Sequence, residues 1–252
     1  MSTILITGAS SGLGAEMARQ LAARGHDLAL CARRTDRLDS LREEIRAADP
    51  RRRVEVRALD VSDDDQVFEV FRGFRSDFRT IDRIVVNAGL GKGAPLGTGG
   101  HAANRETAVT NFLGALAQCD AAMEIFRAQE RGHLVVVSSM SAMRGLPKTM
   151  TTYAATKAGV AHLAEGLRNE LYGTPLGRTV KITVLYPGYI ASEMNEHVRD
   201  RTPLMVSTEK GVRAMVAAIE SEQADACVPR LPWALLAPVM RHAPLPVLKR
   251  LL

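Results

Sequence analysis

Little in this sequence invites base stacking, cross-linking or membrane spanning. Only 4% of its 252 residues are aromatic, and its 33 basic and 28 acidic side chains are scattered along the chain. A nucleic-acid surface concentrates basic charge and interleaves it with aromatic rings. The net charge of +5 is therefore read as general surface charge, and no nucleic-acid partner is expected. The densest basic run, Arg51-Arg52-Arg53, follows Asp49-Pro50 and reads as a solvated turn. Cysteine is scarce. Cys31, Cys119 and Cys227 are odd in number, far apart and without CxxC or metal-ligand spacing. Reduced, mostly buried thiols follow, with neither a disulfide framework nor a metal site. No apolar run approaches the roughly 20 residues of a membrane-spanning helix. Met1-Ser2 leads directly into Thr3-Ile4-Leu5-Ile6-Thr7, without the basic start and cleavage site of a secretory signal. A cytoplasmic location is expected.

What the chain has is ordinary globular material, 46% hydrophobic and 24% charged, which excludes disorder. Short β-branched runs at 3–7, 27–31, 54–58, 83–86, 134–138 and 180–186 read as strands. Helical patterns lie near 13–24, 36–47, 63–74, 102–128 and 153–171, and residues 92–100 read as a Gly-rich surface loop before a helix. The near-continuous apolar run Leu134-Val135-Val136-Val137 suits a parallel strand covered on both faces. The alternation predicts an α/β fold: a single-domain, Rossmann-type, doubly wound parallel sheet with helices on both faces. Residues 1–229 are expected to form its main unit, with 230–252 an apolar, basic tail of the same domain.

The first strand runs into Thr7-Gly8-Ala9-Ser10-Ser11-Gly12-Leu13-Gly14 and then a helix. Glycines there let backbone turn tightly against a pyrophosphate, whose charge meets free N–H groups at the helix start. A lone Gly-rich turn would be weak grounds. Further signals follow in order: Asp60-Val61, Asn87-Ala88-Gly89, Asn111 within Thr110-Asn111-Phe112-Leu113-Gly114, Ser138-Ser139, Tyr153-Ala154-Ala155-Thr156-Lys157, and Pro187-Gly188-Tyr189-Ile190-Ala191-Ser192. With its TGxxxGxG and YxxxK motifs the chain resembles the short-chain dehydrogenase/reductase family over about positions 3 to 195.

The resemblance implies a nicotinamide cofactor. It would be held by Gly8, Ser10, Ser11, Gly12, Leu13, Gly14, Arg33, Asp60, Val61, Asn87, Ala88, Gly89, Tyr153, Lys157, Pro187, Gly188, Ile190 and Ser192, with Asp60 against the adenine amino group. Tyr153 and Lys157 stand four apart and share a helix face. A phenol with a pKa of about 10 works poorly near neutrality unless its anion is stabilised. A lysine cation one turn away, helped by an oxidised nicotinamide, would lower it. Tyr153 is then general acid for carbonyl reduction and general base for alcohol oxidation. Lys157, by the resemblance, also holds the ribose hydroxyls. Ser139 would stabilise charge developing on the substrate oxygen, and Asn111 would anchor a water linking Lys157 to solvent. Ser139 stands fourteen residues before Tyr153, one more than is usual in the family, so Ser141 is the second choice and Ser138 the third.

NAD enzymes of this kind carry an acid at the end of the second strand for the ribose 2′-hydroxyl. Here the chain reads Cys31-Ala32-Arg33-Arg34. Arg33 suits a 2′-phosphate, since guanidinium binds phosphate bidentately. Ser11 stands where some relatives have a second basic residue, so NADP(H) rests on one basic position.

The stretch 189–205, with Met194, Leu204 and Met205, reads as an apolar lid. The chain lacks the Gly-rich closing strand of many tetrameric relatives, which leaves homodimer and homotetramer both open. Its tail carries no acid, and prolines at 232, 238, 244 and 246 argue against one long helix. That tail either packs on the protein or touches a membrane surface or a lipophilic substrate. The function expected is NADP(H)-dependent hydride transfer between nicotinamide and a small-molecule carbonyl or secondary alcohol, with a lipophilic substrate. The alternatives are an epimerase or dehydratase using bound nicotinamide, and a non-catalytic nucleotide-sensing or scaffold protein.

Overall fold

The computed structural model describes residues 2–195 and 204–247. Seven parallel strands form one sheet: β1 (Thr3–Thr7), β2 (Asp27–Ala32), β3 (Val54–Ala58), β4 (Arg83–Val86), β5 (Gly132–Val137), β6 (Val180–Pro187) and β7 (Asp225–Val228). Their spatial order is β3-β2-β1-β4-β5-β6-β7, so the winding reverses between β1 and β4. Loops leaving those two strands diverge, which opens a crevice beyond their carboxyl ends.

The central strands are largely apolar because both faces are covered. Within β1, Leu5 packs on one face while Ile4 and Ile6 pack on the other. In β5, Leu134 and Val136 alternate with Val135 and Val137 in the same way. One face carries α3 (Asp64–Phe78), α5 (Gly114–Gln129) and α6 (Thr151–Leu171), whose Phe71, Phe74, Phe126 and Val160 are buried. The other carries α1 (Gly12–Ala23), α2 (Thr35–Ala48) and α8 (Thr208–Glu220), contributing Met17, Leu21, Leu38, Met215 and Ile219. Each such side chain, fully buried, contributes about 1.5–3 kcal/mol.

The six strands expected from sequence are all present, and the loop ends where α4 (His101–Ala108) begins. Several readings are corrected. The single helix expected over 102–128 is interrupted by a π-helical turn at Val109–Leu113, where Asn111 lies. Strand β7, helix α8 and the short α7 (Pro175–Thr179) were not anticipated. Nor is Arg52 solvated: it reaches the Gly25 carbonyl and pairs with Asp49 and Asp27. As the prolines predict, the tail forms no single long helix among the described residues: α9 (Arg230–His242) is kinked at Leu231, contains Pro238 and ends just before Pro244. It packs on β7 and on the turn Met140–Met143, burying Trp233 and leaving Leu231, Leu235 and Val239 exposed. Residues 248–252 of the tail and 196–203 of the lid lie outside the described residues. Cys31 and Cys119 are buried and all three thiols are free.

Candidate active site

The crevice deepens into a cavity of about 540 Å³ lined from the ends of β1, β2, β4, β5 and β6. Its floor is the Gly-rich turn. Gly8 has a positive φ of 63°, and a Cβ there would lie 2.8 Å from the Ala88 backbone. A Cβ at Gly14 would lie 2.3 Å from the Gly8 carbonyl oxygen, so the helix can approach the turn only as glycine. Asn87 locks the β1 and β4 exits together, its amide donating to Thr7 O at 2.9 Å while its N–H bonds Thr7 Oγ1 at 3.0 Å. The N-cap of α1, Ser11, makes no side-chain cap and the first turn holds no acid. Its leading N–H groups therefore remain open to an anion.

The rim at β2 is guanidinium-rich. Arg33 lines the cavity, and its charge acts on Asp60. Burial alone would raise the Asp60 carboxyl, but hydrogen bonds from Ser62 and the Arg33 charge hold it below its ordinary value. Arg34 lies across the turn, donating to Ser11 Oγ at 2.6 Å and Ser10 Oγ at 3.3 Å. The sequence reading gave the second basic position to neither arginine, because Ser11 holds that place in the chain. In space Arg34 brings a guanidinium there. Only its adjacency to Arg33 signalled this.

At the other end α6 presents Tyr153 and Lys157. Lys157 is buried; its Nζ donates to Val137 O at 2.8 Å and lies 5.9 Å from the Tyr153 ring centre. Burial lowers its ammonium to about 8. Burial likewise raises the Tyr153 phenol above its ordinary value, against the opposing hydrogen bond of Ser139. In the protein alone desolvation is the largest influence on the phenol; the lowering expected from sequence needs Lys157 together with an oxidised nicotinamide.

Among the serines the geometry favours Ser139. Ser138 lines the cavity too, but its hydroxyl is spent on Lys157 O at 2.7 Å. Ser141 is buried and is not among the lining residues. Ser139 caps the turn Met140–Met143, accepting from Ser141 N at 3.1 Å, and reaches Tyr153. A second short turn, Lys148–Met150, takes up the longer spacing before α6.

Of the site residues expected from sequence, all but Asn111 line the cavity. Asn111 is buried behind it, donating to Leu90 O at 2.8 Å and accepting from Leu90 N at 2.8 Å. Its remaining contact is Thr156 at 3.5 Å. Through both atoms of its amide Asn111 fixes the loop after β4. The cavity is also lined by Leu90, Thr110, Glu193, Met194 and Asn195. Met194 lies so near Gly91 that a Cβ there would come within 2.9 Å of it. Trp233 packs on Gly188, 2.0 Å from where a Cβ would stand, and meets Tyr189 edge to face at 5.4 Å.

The glycine turn and the Ser139, Tyr153 and Lys157 side chains thus line one cavity. The family model of the short chain dehydrogenases matches residues 2–203, and the chain belongs to that family. An uncharacterized oxidoreductase of Mycobacterium tuberculosis is 49% identical over 237 residues, covering 94% of this chain and 92% of the relative. The solved structure of a short-chain dehydrogenase from Sphingobium yanoikuyae in complex with NADPH aligns at a TM-score of 0.82 and 27% identity, over 95% of this chain and 93% of that one. A family member from Burkholderia phymatum in complex with NAD aligns at 0.81 over 94% and 91%; at 22% identity it speaks to the fold alone.

Proposed function

We propose that this protein is an NADP(H)-dependent reductase or dehydrogenase of a lipophilic carbonyl or secondary alcohol. The observation that carries the cofactor choice is the β2 exit: Ala32 in place of an acid, with Arg33 lining the cavity and Arg34 across the turn. The NADPH complex of the Sphingobium relative supports it. The open start of α1 and the Gly8–Gly14 approach suit the diphosphate, and Asp60 stands where an adenine amino group would be met. Pro187, Gly188, Ile190 and Ser192 would hold the nicotinamide end, with Lys157 on its ribose. When bound, the cofactor supplies or accepts the hydride.

The protein's own part is to hold the substrate oxygen and move its proton. Ser139 and Tyr153 donate hydrogen bonds to that oxygen as charge grows on it, and Tyr153 releases its proton there. The mostly protonated Lys157 stabilises the phenolate left behind; in alcohol oxidation the transfer reverses. Met194 and Leu90 give the substrate end an apolar wall, which favours an alkyl or alicyclic substrate. Helix α9 belongs to the same domain in this account, its Trp233 backing Gly188. The exposed Leu113 and Leu116 beside α5 favour self-association through that face.

The test is to follow NADPH and NADH consumption with a panel of ketones and aldehydes of rising chain length. NADPH should be the faster donor and apolar carbonyls the better substrates. Equal use of both cofactors would refute the NADP(H) assignment, and a preference for short polar carbonyls the lipophilic one.

A further inference from the structure

The short segment after β6 crosses the cavity as a strap, and its two sides touch opposite banks. On one side, Glu193 accepts from Arg37 at 2.5 Å and from Arg34 at 3.3 Å. On the other, Met194 rests over Gly91. Asn195 fastens the strap by accepting from Ser192 N at 2.9 Å and donating to Ile190 O at 2.8 Å. Arg34 reaches Ser10 and Ser11 with two of its nitrogens, so the third, Nη1, is its outward donor, and Glu193 takes it. Carboxylate and phosphate oxygens both accept hydrogen bonds from the planar donor fork of guanidinium. Glu193 thus holds donors that an anionic group at the β2 rim would seek. The Arg37 hydrogen bond, followed by that of Arg34, keeps the Glu193 carboxyl below its usual range, the mark of a carboxylate stabilised by these cations.

We infer that Glu193 is a specificity-determining residue: it competes with the cofactor's 2′-phosphate for Arg34 and Arg37, and so tempers the preference for NADP(H) over NAD(H). A dianionic phosphate monoester can displace one carboxylate from this pair, whereas a neutral 2′-hydroxyl has no comparable claim on the donors. The cost of displacing Glu193 therefore falls on the phosphorylated cofactor alone. The inference rests on the NADP(H) reading, with Arg33 giving the phosphate its first partner. Its size is bounded by exposure. The Glu193, Arg34 and Arg37 side chains are 53%, 44% and 45% exposed, so each pair is largely solvent-screened.

The test uses two cofactor fragments, 2′,5′-ADP and 5′-AMP, titrated against the intact protein and Glu193→Gln by calorimetry. The parent should bind 2′,5′-ADP more tightly than 5′-AMP. Glu193→Gln should tighten 2′,5′-ADP about three- to tenfold, the range expected of one or two exposed ion pairs removed from the competition. Its affinity for 5′-AMP should stay within about twofold, and the gain should shrink as salt rises. Should the parent fail to prefer 2′,5′-ADP, the NADP(H) reading itself would fall. If the parent prefers it but Glu193→Gln leaves that affinity unchanged, or strengthens both fragments equally, competition by Glu193 is refuted and the cofactor reading stands. The substitution lies at an exposed position, and an unchanged thermal melt establishes that the variant is folded.

Discussion

At the adenosine end of the cavity the arginines are exposed and come from one short stretch; at the catalytic end the polar side chains are buried and come from separate elements. Arg33, Arg34 and Arg37 lie within five residues of one another and are all exposed. Lys157, Ser138 and Asn111 are buried on two helices and a strand exit, and each is tied to backbone carbonyls or amides. The contrast separates two kinds of electrostatics. Screened ion pairs tune a preference by small factors and respond to salt. Desolvated groups govern protonation state and respond to pH.

Breaking the buried end should produce the larger effects. Lys157→Met is expected to reduce kcat/KM for carbonyl reduction by about 10²–10³, within the span of general acid–base contributions. The sign with pH follows from the lysine. Its folded pKa is lowered to about 8, so the cation present at pH 7 is lost as pH rises through 8, and activity should fall with it. Burial keeps Tyr153 protonated beyond that point, so the limb belongs to the lysine. A pH–rate profile of parent and variant checks this. A parent profile flat from pH 7 to 9.5 would break the assignment. The exposed end should respond more gently. Arg33→Ala is expected to weaken NADPH binding about tenfold, consistent with a charge-assisted contact of about 1.5 kcal/mol, while NADH changes little. Fluorescence titrations at low and high salt would sharpen the comparison, since the parent's NADPH affinity should be the salt-sensitive quantity.

The same contrast explains what could be read from the chain alone. The cradle, the YxxxK pair and the β2 exit are local motifs, and their spacing alone carries the geometry. The strap is not local: Glu193 meets Arg34 and Arg37 from 159 and 156 residues away, and no pattern joins them. Trp233 and Gly188 are also far apart in the chain, and the sequence left open whether the tail packs on the protein or touches a membrane or lipophilic substrate. Asn111 was recognised, but its backbone partner, Leu90, leaves no trace in sequence. Helix α8 was legible and overlooked: Ser207 caps it, and Val212, Met215, Val216 and Ile219 recur at helical spacing. Strand β7 was hardly legible, with four residues, Asp-Ala-Cys-Val, of which only Ala226 and Val228 are buried.

The account depends most on one proton, the one carried by Tyr153. Turnover and NADPH affinity should be measured side by side for the parent and Tyr153→Phe, using whichever carbonyl compound the panel shows to be reduced. The expected result is a loss of kcat of about 10²–10⁴-fold, the scale of a removed general acid, with NADPH affinity within about threefold of the parent. A Phe variant that keeps near-parental kcat would contradict the account, because the proton would then reach the substrate oxygen from another group.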